Sequence, residues 1–264
     1  GNMGNLWKGF KEHRTFRFTS LLVILLIALV VLAPVIAPYN PLEAVMKDAN
    51  QAPSMAHLFG TDKLGRDVLS RILYGGAYSL SSVLALVAII FCVGTFLGLV
   101  AGYFGGLIDT VIMRVADMMI SFPGVILAIA IAGIMGGSLV NAMIALTAVT
   151  WTKYARLSRS MVLKIRKRDF VDAAIVSGGT SSHILWTHIM PNVVPILVIT
   201  AVSDIGAMMM ELAGLSFLGF GSQPPAPEWG LMLNEGRQQL QTAPWLMVFP
   251  GLAIFISVVI FNLW

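Results

Sequence analysis

The sequence predicts an all-α membrane protein with six transmembrane helices, and three observations carry the prediction. Of its 264 residues 57% are apolar and only 11% are charged. Its mean hydropathy is +0.84, and so little polar side chain cannot solvate a globular surface. Long uncharged stretches recur, separated by short segments that hold nearly all of the Lys, Arg, Asp and Glu.

Residues 1–17 are expected to be a cytoplasmic N-terminal segment. Gly1 to Asn5 have neither the apolar stretch nor the small-residue cleavage site of a secretory signal. From Phe18 to Leu42 there is no charge, and Leu21 to Ala37 is almost wholly Leu, Ile, Val and Ala. That run is long enough to cross a hydrocarbon layer of about 30 Å, so 18–42 is the first span. Residues 43–77 follow as an extracytoplasmic loop, and 78–264 hold the core with the other five spans.

Arg71 and Asp109 bracket the second uncharged stretch, in which Gly94, Gly98 and Gly102 recur every four residues. Such a stripe occupies one helix face and lets another backbone approach closely. The uncharged run between Asp117 and Lys153 is too long for one helix, and Gly136-Gly137-Ser138 is the natural turn that divides it into spans three and four. Span five is expected from about Pro191 to Leu215 and span six from about Ala243 to Trp264. Span six ends without the charged tail that finishes a helix at the cytoplasmic face, so the natural chain is expected to continue.

Orientation follows from where Lys and Arg gather. Lys8, Lys11, Arg14 and Arg17 precede span one, while Lys153, Arg156, Arg159, Lys164, Arg166, Lys167 and Arg168 gather at and after the end of span four. Both regions are placed in the cytoplasm. In the first external loop Lys47, Lys63, Arg66 and Arg71 are balanced by Glu43, Asp48, Asp62 and Asp67. The net charge of +4 is small and lacks a basic patch with interleaved aromatics, which argues against nucleic acid. Cys92 is the only cysteine, lies in an apolar run and reads as a small buried hydrophobe.

The loop 162–190 is the most informative segment. Asp169 is expected to cap a short helix, with Asp172 three residues on, and Gly178 or Gly179 to end it in a left-handed turn. Phe170, Ala173, Ala174 and Ser177 then share a small-residue face suited to a groove on another protein.

Here the sequence resembles the permease subunits of bacterial ATP-binding-cassette importers. Their coupling loop reads acid-Ala-Ala, three residues, Gly, nine residues, then a hydrophobic position, any residue, Leu and Pro. This chain has Asp172-Ala173-Ala174, Gly178 and His188-Ile189-Met190-Pro191, with Asp for Glu and Met for Leu. Three further stretches are similar to the second permease of the dipeptide, oligopeptide and nickel group, closest to the nickel-type members. They are His57 to Asp67 with Ser70-Arg71, Arg114 to Pro123, and Leu215 to Gly230.

The resemblance implies a type I importer permease fold in the bacterial inner membrane. It also implies ATPase coupling through Asp169, Phe170, Asp172, Ala173, Ala174, Ser177 and Gly178. The implied partners are a homologous second permease forming a heterodimer, two ATPase subunits that bind ATP and Mg, and an extracytoplasmic solute-binding protein. No cofactor is assigned to this chain. It has no Gly-x-x-x-x-Gly-Lys-Ser/Thr phosphate loop, so hydrolysis is placed in the partners.

Substrate contacts stay open between two readings. Asp204 and Glu211 are seven apart in span five with Met208 between them, and Asp117 lies in span three. Ionisable groups at membrane depth usually face a pore or a partner. These either line the pathway, for a divalent metal, its chelate or a peptide amino terminus, or they pair with Arg114 and helix ends for assembly. No metal site is assigned. Asp62, Arg66 and Asp67 either contact the delivery protein or simply fold their loop.

Two other classes fit poorly. An intramembrane enzyme needs a motif such as His-Glu-x-x-His or Gly-x-Ser-x-Gly, and neither occurs. A secondary transporter usually has repeated halves, and its coupling loop would be idle.

Overall fold

The computed structural model describes residues 13–264, so Lys8, Lys11 and the segment Gly1 to Asn5 lie outside the described residues. The helices are α1 (Arg14–Val31), α2 (Ala33–Ile36), α3 (Val68–Phe104), α4 (Gly106–Ile120), α5 (Gly124–Met135) and α6 (Leu139–Ile165). After these come α7 (Asp169–Val176), α8 (Ser181–Ile184), a π turn at Leu185–Ile189, α9 (Met190–Ser203), α10 (Ile205–Phe217), α11 (Trp229–Gly236) and α12 (Trp245–Leu263). Among the described residues the only extended pairing noted outside strands is the isolated bridge between Thr61 and Asp67.

The breaks follow from local chemistry. Gly105 and Gly106, at φ of +62° and +57°, turn the chain between α3 and α4 in a region that side chains with a Cβ rarely enter. Gly136, at φ +94°, makes the predicted turn between α5 and α6. One break was not predicted. Ser121-Phe122-Pro123 bends α4 against α5 by 95°, because Pro123 lacks a backbone donor and pushes Phe122 out of the helical region.

Against the six spans expected, four to five helices among the described residues have the length and composition of a crossing. Arg14–Val31, Val68–Phe104, Ser181–Ser203 and Trp245–Leu263 are long and apolar enough to cross a membrane, and the bent pair α4 and α5 makes five if it is one span. α6 has 27 residues, enough length, but Lys153, Arg156, Arg159 and Lys164 give it more charge than an apolar span carries. Span five also differs from expectation. Its helical run starts at Ser181, and a break at Asp204 separates α9 from α10. Asp204 is therefore the C-cap of α9 and Glu211 belongs to α10, so the one uninterrupted helix expected to carry both is broken between them.

Two compact units are formed. The first comprises the chain to residue 83, residues 136–142 and residues 205–264. Val68, Ile72, Trp229, Met232, Leu246 and Ile254 make its core. Trp229 Nε1 donates to the Ile72 carbonyl at 2.9 Å and Trp245 Nε1 to the Thr61 carbonyl at 3.0 Å, so the indoles bury without orphaned N–H groups. Phe59 stacks on Phe249 with centroids 4.2 Å apart.

The second unit comprises residues 84–135 and 143–204. Here the glycine stripe of α3 lies directly on α6. A methyl group added at Gly94 would come within 2.5 Å of the Trp151 carbonyl oxygen, and one at Gly102 within 2.9 Å of Val162 Cβ. Between them Gly98 meets Ala155 and Ser158, and Ser158 Oγ donates to the Thr95 carbonyl at 3.1 Å. Backbone contact this close needs all three glycines.

Gly98→Leu is expected to cost roughly 1–3 kcal/mol by overpacking, seen as a lower thermal midpoint of the purified protein. Cys92, expected to be buried, is exposed on the same helix, and Cys92→Leu should leave the midpoint unchanged.

Candidate functional site

The loop helix α7 begins at Asp169, and its N-cap is Arg168 rather than the expected Asp169. Asp169 and Asp172 occupy the first turn, where a carboxylate favours the positive end of the helix dipole. Gly178, at φ +85°, ends the helix as expected, and the Gly179 N–H donates to the Ala174 carbonyl at 3.1 Å. Val171 is the buried anchor, 1% exposed. Phe170, Asp172, Ala173, Ser177 and Gly178 are exposed, and Ala174 is half-buried. Val176, at 87% exposure, leaves an apolar side chain in the open. A cavity of about 310 Å³ beside it is lined by Lys164, Arg168, Phe170 and Asn192 among others. All seven residues singled out in this loop thus lie on or next to one short helix, whose exposed side chains mix the apolar Phe170, Ala173, Ile175 and Val176 with the acids Asp169 and Asp172.

The acids assigned to a pathway are not free. Lys153 Nζ donates to both oxygens of Asp204 at 2.8 Å, and Tyr154 Oη donates to Asp204 Oδ2 at 2.6 Å. Asp117 takes Arg156 on Oδ1, and Arg114 on Oδ2 at 3.3 Å. Arg159 grips Asp109 with both forks, Nε at 2.6 Å and Nη2 at 2.9 Å. Sequence reading took Lys153, Arg156 and Arg159 only as markers of the cytoplasmic side. The signal for their second role was present: three cations at intervals of three residues along one helix, close enough in sequence to share a side and each favoured by a counter-charge. Just past the end of α6, Arg166 Nη1 donates to the Gly102 carbonyl at 2.9 Å, capping the negative end of α3.

Met208 is buried and Glu211 half-buried on α10. Among the described residues no three His, Cys, Asp or Glu side chains converge as metal ligands.

In the long loop before α3, Asp62, Arg66 and Asp67 are buried at 8%, 3% and 2% exposure. They hold the loop together. Arg66 Nε donates to Asp62 Oδ2 at 2.7 Å, His57 Nδ1 lies 2.8 Å from Asp67 Oδ1, and Ser70 Oγ donates to Asp67 Oδ2 at 2.6 Å. Arg71 is 1% exposed and donates to the carbonyls of Pro41, Pro225 and Ala226 at 3.0, 3.4 and 3.3 Å. Its guanidinium also lies 3.8 Å from both Asp62 and Glu235. Glu235 and the two carbonyls after Gln223 were not anticipated, since nothing in the pattern joins residues more than 150 apart. Glu228 caps α11 by accepting from the Gly230 and Leu231 N–H groups. Burial pushes its carboxyl above the ordinary range, against the pull of those two donors.

Residues 94–264 match the family of binding-protein-dependent transport system inner membrane components, and residues 3–53 match the N-terminal TM domain of oligopeptide transport permease C. The chain is 40% identical to the glutathione transport system permease protein GsiD of Pectobacterium atrosepticum, over 97% of this chain and 86% of that one. It is 39% identical to the dipeptide transport system permease protein DppC of Alkalihalophilus pseudofirmus, covering 97% and 84%. Identity to the nickel transport system permease protein NikC of Escherichia coli K12 is 41%, covering 92% and 88%. Among solved structures, a chain of the inward-facing MetNI methionine ABC transporter shares the fold with a TM-score of 0.57, at 18% identity, over 74% of this chain and 92% of that one.

Arg71→Met is expected to destabilise the protein by about 3 kcal/mol or more, because it leaves buried carboxylates and carbonyls without a partner. Lys63→Met, at an exposed position of the loop before α3, should stay within about 0.5 kcal/mol. Denaturant titration of both variants in detergent separates the two cases.

Proposed function

The chain belongs to the binding-protein-dependent transport system inner membrane components, and from that membership we propose that it forms half of the pathway of an ATP-driven importer, paired with a related permease. It is a multi-pass inner-membrane permease subunit of an ABC importer and carries no catalysis of its own. In the proposed assembly two cytoplasmic ATPase subunits bind ATP and Mg, and each receives one coupling helix. A solute-binding protein delivers the solute from outside. The N-terminus is placed in the cytoplasm, on the side of α7, in keeping with the basic residues at both.

The observation that supports coupling is the state of α7. It is a helix of 8 residues, closed at its C-terminus by Gly178 and Gly179, whose Phe170, Ala173, Ile175 and Val176 side chains are left open by its own chain. Solvent gives such a face no reason to persist, whereas a groove on an ATPase covers it. Closure of the motor then moves α7 and rocks the spans between two rigid-body arrangements.

For the solute, the relatives transport glutathione, dipeptide and nickel by name. We assign a small polar solute of that range, either nickel as a chelate or a short peptide. The pairing of Asp117 and Asp204 with cations favours a chelate or peptide over a bare metal ion.

Ala173→Trp is expected to leave the fold and the thermal midpoint intact while ATP-driven uptake falls at least about tenfold, the worth of about 1.4 kcal/mol of lost docking. Uptake by vesicles carrying the assembled complex checks this, and unchanged uptake removes α7 from the coupling path.

A further inference from the structure

Between α4 and α6 lies a cavity of about 440 Å³ lined by Asp109, Thr110, Met113, Arg114, Asp117, Arg156 and Arg159. Its volume is that of a small-molecule site. The lining holds three guanidinium groups and two carboxylates, an excess of one positive charge. The way the charges are spent decides what the cavity accepts.

Every carboxylate oxygen already faces a guanidinium nitrogen. Asp109 gives both oxygens to Arg159 at 2.6 and 2.9 Å, and Asp117 gives one to Arg156 and one to Arg114. The three guanidiniums carry five N–H donors each, so four contacts leave most of their donors unused by these acids. Arg114 is the most available, with 76% of its side chain exposed and one contact at 3.3 Å to Asp117, three residues along its own helix. A bare dication entering here would meet net positive charge and no free carboxylate oxygen. An incoming carboxylate would meet open planar forks that match its two oxygens.

Resting on the importer reading above, we infer that this cavity is a subsite for a carboxylate group of the passing solute, with Arg114 and Arg156 as its selecting residues. Arg159, held by Asp109, positions the site without being free to leave its partner. The solute class is then a small carboxylate-bearing molecule, a peptide or a carboxylate chelate of a metal, and not an aquated metal ion. Asp117 keeps the two selecting guanidiniums together and is displaced or shared as the solute carboxylate arrives.

The test is ATP-driven uptake by vesicles holding the assembled importer, purified with its partner subunits. The probes are trialanine, trialanine with its carboxyl converted to the amide, and free Ni²⁺. The acid is expected to exceed the amide by roughly tenfold, the scale of one charge-assisted contact. Arg114→Gln should cut that ratio roughly threefold, and Arg114→Gln with Arg156→Gln should bring it to about one, while Arg156→Lys restores part of it because the charge returns. The delivery protein is the same throughout, so a change in the ratio belongs to this chain. Arg114 is exposed enough to be replaced without opening the fold, which the thermal midpoint verifies.

An acid-to-amide ratio that the double substitution leaves unaltered overturns the subsite. Faster uptake of free Ni²⁺ than of the acid also overturns it, as does a complex that hydrolyses ATP yet is neither crossed nor stimulated by the acid; in both cases the importer reading stands. Failure of this chain to purify with any ATPase would instead count against the importer reading itself.

Discussion

A charged side chain held between helices has to find an opposite charge or water, and three of the four cations of α6 find an acid. Lys153, Arg156 and Arg159 meet Asp204, Asp117 and Asp109, which come from the end of α9 and from α4. This pairing ties α6 to its neighbours on one side, while the glycine stripe of α3 ties it on another. Dispersion across Gly94, Gly98 and Gly102 sets how close the backbones come. The ion pairs set which residues may line the space that remains. The two devices complement each other: packing sets the distance between the helices, and the pairs neutralise the charges that this closeness brings together.

A second set of buried charges performs a different task in the other unit. Asp62, Arg66, Arg71 and Glu235 are organised around carbonyl oxygens of two separate loops, near residues 41 and 225. Burial of this kind contributes little net stability, since desolvation offsets most of the attraction. Its effect is to fix one loop arrangement among many, because any other would leave an ion without a partner.

Much of this was legible in the sequence. The turn at Gly136, the end of α7 at Gly178 and the role of the glycine stripe follow from residues whose backbone or size admits little else. The bend at Ser121-Phe122-Pro123 was signalled by Pro123 but hidden by the apolar run on both sides. The interruption at Asp204 was hidden for another reason: a single helix was assumed wherever hydropathy was continuous, and a polar cap inside it was read as a pathway group. The partners of the acids were the least legible. Hydropathy locates a charge along the chain but says nothing about which distant residue neutralises it, and Arg71 with Glu235 illustrates this most plainly. The loop helix α7 was the most legible element, because contiguous residues set where it starts and ends.

The burial of Arg71 has a bearing on how such a chain drifts over generations. Its guanidinium is shared among two acids and three carbonyls, so a replacement at position 71 alone strands several groups at once. A tolerated change there would need matching changes at positions 62 and 235, whereas an exposed position such as Lys63 can vary alone.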